Sequence, residues 1–292
     1  MHWEKMTMED FAAYTRSNGT QVKKIGDVWW AEVRPCFYRP LAPLATVDPS
    51  FSRYPVKSFA GGVLHPVPHG AAANSHMNMF VYSDLKNYSL DGLNNRRRKL
   101  VEQGIRNFSY KPLTDVQEFE EEAFDVYVAF HERVNYSYKR DRLQREKFAS
   151  WARLLFQFPQ IQVAGSYHRD RLLAVDISFL VGEVIVCDTM FSTREGLDLK
   201  VTDFIYHRIR EAAVGSDAKY ILVGFPTGKK SLDDSKVMRG CKLLQVPSYH
   251  RFNPVAMLAA RQLMKEGYAK LMAIVSLPAA DQDRPLPEFS AG

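Results

Sequence analysis

Three apolar stretches, residues 161–166, 172–179 and 183–189, follow one another with only tight breaks between them. His168-Arg169-Asp170-Arg171 is a charged tetrapeptide between two apolar runs, and Val181-Gly182 is a second break, so the segment predicts an antiparallel meander. A polar loop over 192–199 then leads into helical spacing at Val201, Phe204, Ile205, Ile209 and Ala212. Residues 220–225 form a short, continuous apolar run of the kind buried on both faces. A brief helix over 233–238, Gly240 and a strand over 242–246 complete the pattern. A meander followed by a strand–helix–strand crossover restricts the chain to a mixed, mostly antiparallel sheet with helices on both faces, an α/β (α+β) class.

The segment before the meander predicts two helices. Thr114-Asp115-Val116-Gln117 reads as a capping box, with Val116, Phe119, Ala123, Val126, Tyr127, Phe130 and Val134 at helical spacing behind it. Phe148, Trp151, Ala152 and Leu155 repeat the spacing, and Pro159 ends it. Ahead of these, Ser89 is placed to cap a helix that Gly104 would end in a left-handed turn, followed by a strand over 106–110. Residues 1–88 open with a helix over 7–17 closed by Gly19, and then turn Pro-, Gly- and Ala-rich over 35–76, which predicts short edge strands. Asn253-Pro254 opens a late helix, with Asn253 as cap and Pro254 in the first helical position. The expected division is therefore an N-terminal part over 1–88, a connecting helix and strand over 89–111, a main domain over 112–277 and a flexible tail over 278–292.

Bulk properties exclude several classes. Apolar residues make up 46% and charged residues 25% of 292, enough for a core, and no apolar run reaches the length of a membrane span. The N-terminal residues lack the layout of a signal peptide. Cys36, Cys187 and Cys241 are widely spaced and form no CxxC pair. Together these features predict a cytoplasmic protein with reduced thiols. The net charge of +6 favours an anionic partner such as a CoA phosphate, an RNA backbone or an acidic carrier protein. His65 and His69 are four apart, but Pro66 and Pro68 forbid the helix that would bring them onto one metal, so no metal is expected.

Several segments carry a resemblance. Arg96-Arg97-Arg98-Lys99 followed by Gly104-Ile105 is similar to the basic stretch that opens the second half of FemAB-like proteins. Val163-Ala164-Gly165 through Leu173-Ala174 resembles their central hairpin, and Ser231 through Gly240 their closing segment, with Lys236 on the family lysine. Over residues 89–250 the chain thus resembles the FemAB-like (BioF2-like) branch of the GNAT acyltransferase superfamily. It also resembles the C-terminal half of aminoacyl-tRNA–protein transferases, and residues 1–88 would be a shortened GNAT-like half. The ordinary GNAT pyrophosphate loop is missing. Arg194-Glu195-Gly196-Leu197-Asp198-Leu199-Lys200 stands in its place, with one glycine and one basic entry residue.

The resemblance implies an N-acyltransferase whose donor is an acyl-CoA or acyl-carrier-protein thioester and whose acceptor is an amine on a small molecule or peptide. An aminoacyl-tRNA donor is the alternative, and a non-catalytic binding protein the third reading. It implies that strand 183–189 splays from its neighbour and polarises the donor carbonyl. Met190 and Phe191 would line the donor channel, and Arg194, Gly196, Lys200 and Val201 would hold its phosphates at a helix N-terminus. Lys236 would stabilise the oxyanion, Asp188 would act as base or position a water, and Tyr206 and Tyr249 would serve as general acids. Each has a plainer structural alternative: a capping aspartate, a solvated lysine, tyrosines held by one hydrogen bond. In the binding-protein reading, Trp29, Trp30, Phe37 and Tyr38 form an exposed interface.

Overall fold

The structure is a computed structural model that describes residues 3–134 and 139–275. The tail expected over 278–292 lies outside the described residues. In chain order the elements are β1 (Lys5–Met6), α1 (Met8–Ser17), β2 (Val22–Ile25), β3 (Val28–Arg34), β4 (Phe37–Pro40), β5 (Gly62–Pro66), β6 (Ser75–Tyr82), α2 (Asn95–Asn107), β7 (Ser109–Pro112), α3 (Val116–Arg133) and α4 (Arg145–Leu155). They continue with β8 (Gln162–His168), β9 (Arg171–Val181), β10 (Val184–Ser192), α5 (Arg194–Asp198), α6 (Val201–Ala213), β11 (Tyr220–Gly224), α7 (Lys230–Met238), β12 (Lys242–Phe252), α8 (Pro254–Leu263) and α9 (Lys265–Val275).

Contacts divide the described residues into two compact units: one from 3–10 and 82–222, the other from 11–81 and 223–275. They group residues differently from the linear division into 1–88, 89–111 and 112–277. Segment 223–275 joins the early strands because β12 is seated between β5 and β6, antiparallel to both.

In the 82–222 unit the strands run β7-β8-β9-β10-β11, antiparallel except for the parallel β10–β11 pair, and β1 adds in parallel to β9. The β8–β9 hairpin turns at Arg169 and Asp170, both with positive φ, and Gly182 makes the next turn at φ 60. Strand alternation separates the two faces. On one face Phe191 lies against Tyr127 of α3 and Trp151 of α4, with ring centroids 5.2 and 6.3 Å away, and Phe119 stacks on Phe148 at 5.4 Å. On the other, Tyr110 of β7 meets Phe204 of α6 edge-on at 6.0 Å. Helices therefore cover both faces. Each of these buried rings contributes roughly 1.5–3 kcal/mol through burial.

Three expected helix boundaries shift. Asn94, not Ser89, caps α2, accepting the Arg97 N–H at 3.0 Å. Asp115, not Thr114, caps α3, accepting the Glu118 N–H at 2.9 Å. Gly104 does not end α2 but lies inside it; a Cβ there would come within 2.8 Å of the Phe204 Cβ, so the glycine permits close packing of α2 on α6. Asn253 caps α8 as expected, accepting from the N–H groups of Val255 and Ala256 at 2.9 and 3.3 Å behind Pro254.

In the other unit the strands run β2-β3-β4-β5-β12-β6, antiparallel except for the parallel β4–β5 pair. Its core includes Trp30, Tyr38, Val47 and Val63. Trp30 and Tyr38 are thus interior residues and cannot form the exposed interface expected of them, and Trp29 and Phe37 are half-buried. They lie on strands paired on both sides, which turns alternate side chains inward.

Candidate functional site

Strand β10 is regular for three residues and then changes. Val184, Ile185 and Val186 pair in parallel with Tyr220, Ile221 and Leu222, and the β10–β11 ladder ends there, while β10 runs on to Ser192. On its other side β10 stays paired with β9, but Cys187 faces Ser178 and Thr189 faces Ile177, so Asp188 is an extra residue without a counterpart on β9. This is a β-bulge, which bends the strand and re-aims its backbone groups. Asp188 is exposed, and its carboxylate accepts a hydrogen bond from Thr189 Oγ1 at 3.1 Å.

Beyond the bulge, alternation sends Met190 and Phe191 to opposite faces. Met190 faces Asp176 across the ladder and is half-buried; Phe191 is 1% exposed inside the α3–α4 core, so it cannot line a donor channel. Gly196 is buried, its N–H donating to Thr193 Oγ1 at 3.0 Å, so the first turn of α5 is capped by its own chain. Arg194 pairs with Asp198 at 3.2 Å, and Arg171 pairs with Glu195 at 3.0 Å. Val201 is fully buried in α6, and Lys200 joins α5 to α6 in a left-handed conformation. Of the six residues expected to hold the donor, three are core and one is ion-paired on the surface; Met190 and Lys200 are partly exposed. Pattern reading missed Arg133. At the end of α3 its Nη2 donates to the Ser192 carbonyl at 3.4 Å, and burial together with the nearby Arg194 charge lowers its pKa. Two cations therefore stand at the exit of β10. Tyr206 is half-buried, with its ring centroid 5.7 Å from that of Tyr82.

A second polar group lies on the α6 face beside the bulge. Tyr110 donates its hydroxyl to Asp176 Oδ2 at 2.9 Å. Asp176 is fully buried, and desolvation raises its pKa to about 7 against the counter-effect of that hydrogen bond. Asp176 Oδ1, Ser178 Oγ and Ser166 Oγ are buried without a hydrogen-bond partner. Asp176 and Ser178 sit directly across from Met190 and Cys187. A single carboxylate inside the apolar run 172–179 was the signal in the sequence.

The two remaining expected residues lie in the other unit. Lys236 of α7 donates to the Phe225 carbonyl at 3.0 Å, approaches Asp233 at 3.4 Å and sits 4.6 Å over the Phe80 ring. Desolvation lowers its pKa and Asp233 opposes this. Asp233 also accepts the Thr227 N–H, so the lysine braces the segment before α7. Tyr249 stacks on Tyr54 and lies tilted against His65, with centroids 6.4 and 5.5 Å away. His65 is buried. Its Nδ1 lies 3.0 Å from the Pro66 carbonyl, which can only accept, so that nitrogen carries the proton and Nε2 accepts from the Tyr54 hydroxyl at 3.1 Å. Burial lowers the His65 pKa, which keeps the ring neutral. Among the described residues no group of three or more His, Cys, Asp or Glu side chains could hold a metal ion.

No protein-family model and no curated protein matches the sequence. Solved structures do match. The structure is similar to a domain assigned as the C-terminal part of a lysylphosphatidylglycerol synthetase from Agrobacterium fabrum, with a TM-score of 0.61 and 11% identity over 91% of this chain and 92% of that one. It is similar to FemX, with a TM-score of 0.57 and 8% identity over 87% and 92% of the two chains. It is also similar to L-PGS from Bacillus licheniformis, with a TM-score of 0.55 and 9% identity over 91% and 98%. At such identities the likeness is one of fold. The chain has a GNAT-like fold: a mixed, mostly antiparallel sheet with helices.

Proposed function

We propose that this chain is a group transferase that moves an acyl or aminoacyl group onto an acceptor amine, with the donor carbonyl held at the β10 bulge. The observation that carries the reading is the coincidence at one place of three features: the end of the β10–β11 ladder after Val186, the extra residue Asp188, and the cations Arg133 and Arg194 at the strand's exit. A bulge leaves its extra residue out of the ladder, and a backbone N–H freed in this way can stabilise the oxyanion of a tetrahedral intermediate as a fixed dipole. The amine attacks the carbonyl carbon, the new C–N bond forms, and the donor's C–O or C–S bond breaks. The proton lost by the amine passes to the leaving oxygen or sulfur. Asp188, exposed beside the bulge, is placed to accept that proton in transit, directly or through a water. Lys236, committed to Phe225 and Asp233, has no part in this scheme.

An aminoacyl ester, as at the 3′ end of a charged tRNA, is the preferred donor. Thr193 already occupies the α5 amide that a CoA pyrophosphate would need, and Glu195 and Asp198 add negative charge beside it. One of the similar structures carries a lysylphosphatidylglycerol synthetase name, which is consistent with aminoacyl transfer. A CoA or carrier-protein thioester is the second reading, favoured by Arg133 and Arg194, which would suit a compact pyrophosphate.

Thermal stabilisation and product mass distinguish these donors. Aminoacylated tRNA should raise Tm and label an amine acceptor, while deacylated tRNA and acetyl-CoA should do less. A Tm shift and acyl transfer with the thioester alone would install the second reading. No shift and no transfer with either would remove the transferase proposal.

A further inference from the structure

Among the described residues, the exposed large apolar side chains lie almost entirely in the unit of 11–81 and 223–275. Phe51, Val56 and Phe59 stand out from the segment before β5, at 87%, 84% and 62% exposure, and Val255 and Leu258 project from α8 at 76% and 60%. The two groups adjoin. Asn253, the cap of α8, donates its side-chain amide to the Phe59 carbonyl at 3.1 Å, and the Arg251 guanidinium lies 4.1 Å over the Phe59 ring. None of α7, α8 and α9 buries a single residue.

The late segment of the same unit is cationic. Between residues 223 and 275 there are nine Lys and Arg against three Asp and Glu, a net +6, which equals the net charge of the whole chain. Exposed Arg53, Lys57, Arg261 and Lys265 flank the apolar side chains, and none of the four makes an ion pair among the described residues. Apolar tips rimmed by unpaired cations suit an interface that is hydrocarbon beneath and anionic at its surface.

We propose that this face, centred on Phe59, Val255 and Leu258, is a peripheral docking surface for an anionic lipid bilayer. The alternatives fit less well. A second copy of the chain would bring the exposed cations Arg53, Lys57, Arg261 and Lys265 against their own copies. Nucleic acid would use the cations, but three of the five exposed apolar side chains are aliphatic and offer no stacking plane. Among the described residues no helix is long and apolar enough to cross a membrane, so association would be interfacial. The proposal does not rest on the transfer reaction, and its test uses no donor.

The test is sedimentation of the full chain with vesicles of phosphatidylcholine alone and of equal parts phosphatidylcholine and phosphatidylserine. The protein should pellet with the mixed vesicles only and be released by salt. The double variant Val255→Ser, Leu258→Ser should weaken binding about tenfold, and the loss of two surface cations in Lys57→Glu, Arg261→Glu should weaken it by about thirtyfold or more. All substituted residues are exposed, so circular dichroism and Tm should not change. The proposal is overturned if the wild-type protein stays in the supernatant with mixed vesicles at low salt, or if both variants bind as the wild type does. It is equally overturned if the variants abolish tRNA binding or dimerisation while vesicles are never bound.

Discussion

In the 82–222 unit the apolar side chains of α3, α4 and α6 turn inward onto β8, β9 and β10; in the other unit α7, α8 and α9 bury none of theirs. Of the twelve exposed large apolar residues among the described residues, Ile105 alone belongs to the first unit. The first unit is built as a closed core around a distorted strand, the second as a paired sheet whose late helices keep apolar surface in water. Side chains that leave water on folding stabilise the fold, and those that do not remain available for a partner. The contrast therefore assigns stability and the candidate chemistry to the first unit and recognition to the second.

The largest effect should come from emptying the closed core. Phe191→Ala removes a fully buried ring packed on Tyr127 and Trp151 and should cost about 3–5 kcal/mol in urea unfolding. A cost below about 1 kcal/mol would mean that the two units differ less than their burial indicates. Asp176 should give an effect of similar size that depends on pH. Its folded-state pKa is raised from 3.8 to about 7, so the folded protein holds this proton more tightly than the unfolded chain does. Its stability contribution is full at low pH and is lost as pH climbs through that window, by about 4 kcal/mol in all. Asp176→Asn should flatten that slope and leave the variant more stable than the wild type above the window; parallel pH profiles would show that Asp176 is ionised throughout.

Smaller effects sharpen the comparison at the surface. Thr193→Ala removes the cap that accepts the Gly196 N–H and should cost about 1 kcal/mol by thermal unfolding. An unchanged Tm would mean that water replaces the hydroxyl and that the α5 amides are open to a phosphate. Leu258→Ser, on α8, should change stability by less than about 0.5 kcal/mol. A larger loss would show that α8 is buried in solution and would weaken the docking proposal along with the contrast.

Much of the closed unit was legible in advance because its signals are local. Arg169-Asp170 and Gly182 mark turns that positive φ requires, and the spacing of Phe119, Tyr127, Phe148 and Trp151 marked the helical face that packs on the sheet. Caps slipped to Asn94 and Asp115 because neighbouring Asn, Asp, Ser and Thr compete equally well for the same amides. The other unit was poorly legible because its pairings are distant. Asn74 bonds the backbone of His250 across 176 residues, and no periodicity reports which strand will lie beside which. At the candidate site, Asp188 was named because the resemblance puts it at the exit of strand 183–189, and the bulge around it is visible only in the pairing with β9; Phe191, Gly196 and Val201 turned inward because they lie on the buried side of their elements. Arg133 had no sequence signal beyond being a basic residue in a last helical turn.

The most direct test is a crystal structure with a non-hydrolysable 3′-aminoacyl-adenosine. The account predicts the analogue's carbonyl oxygen within hydrogen-bond reach of the β10 backbone between residues 187 and 190, with its polar end toward Arg133 and Arg194. An analogue bound elsewhere, or β10 paired without a bulge through residue 192, would contradict it.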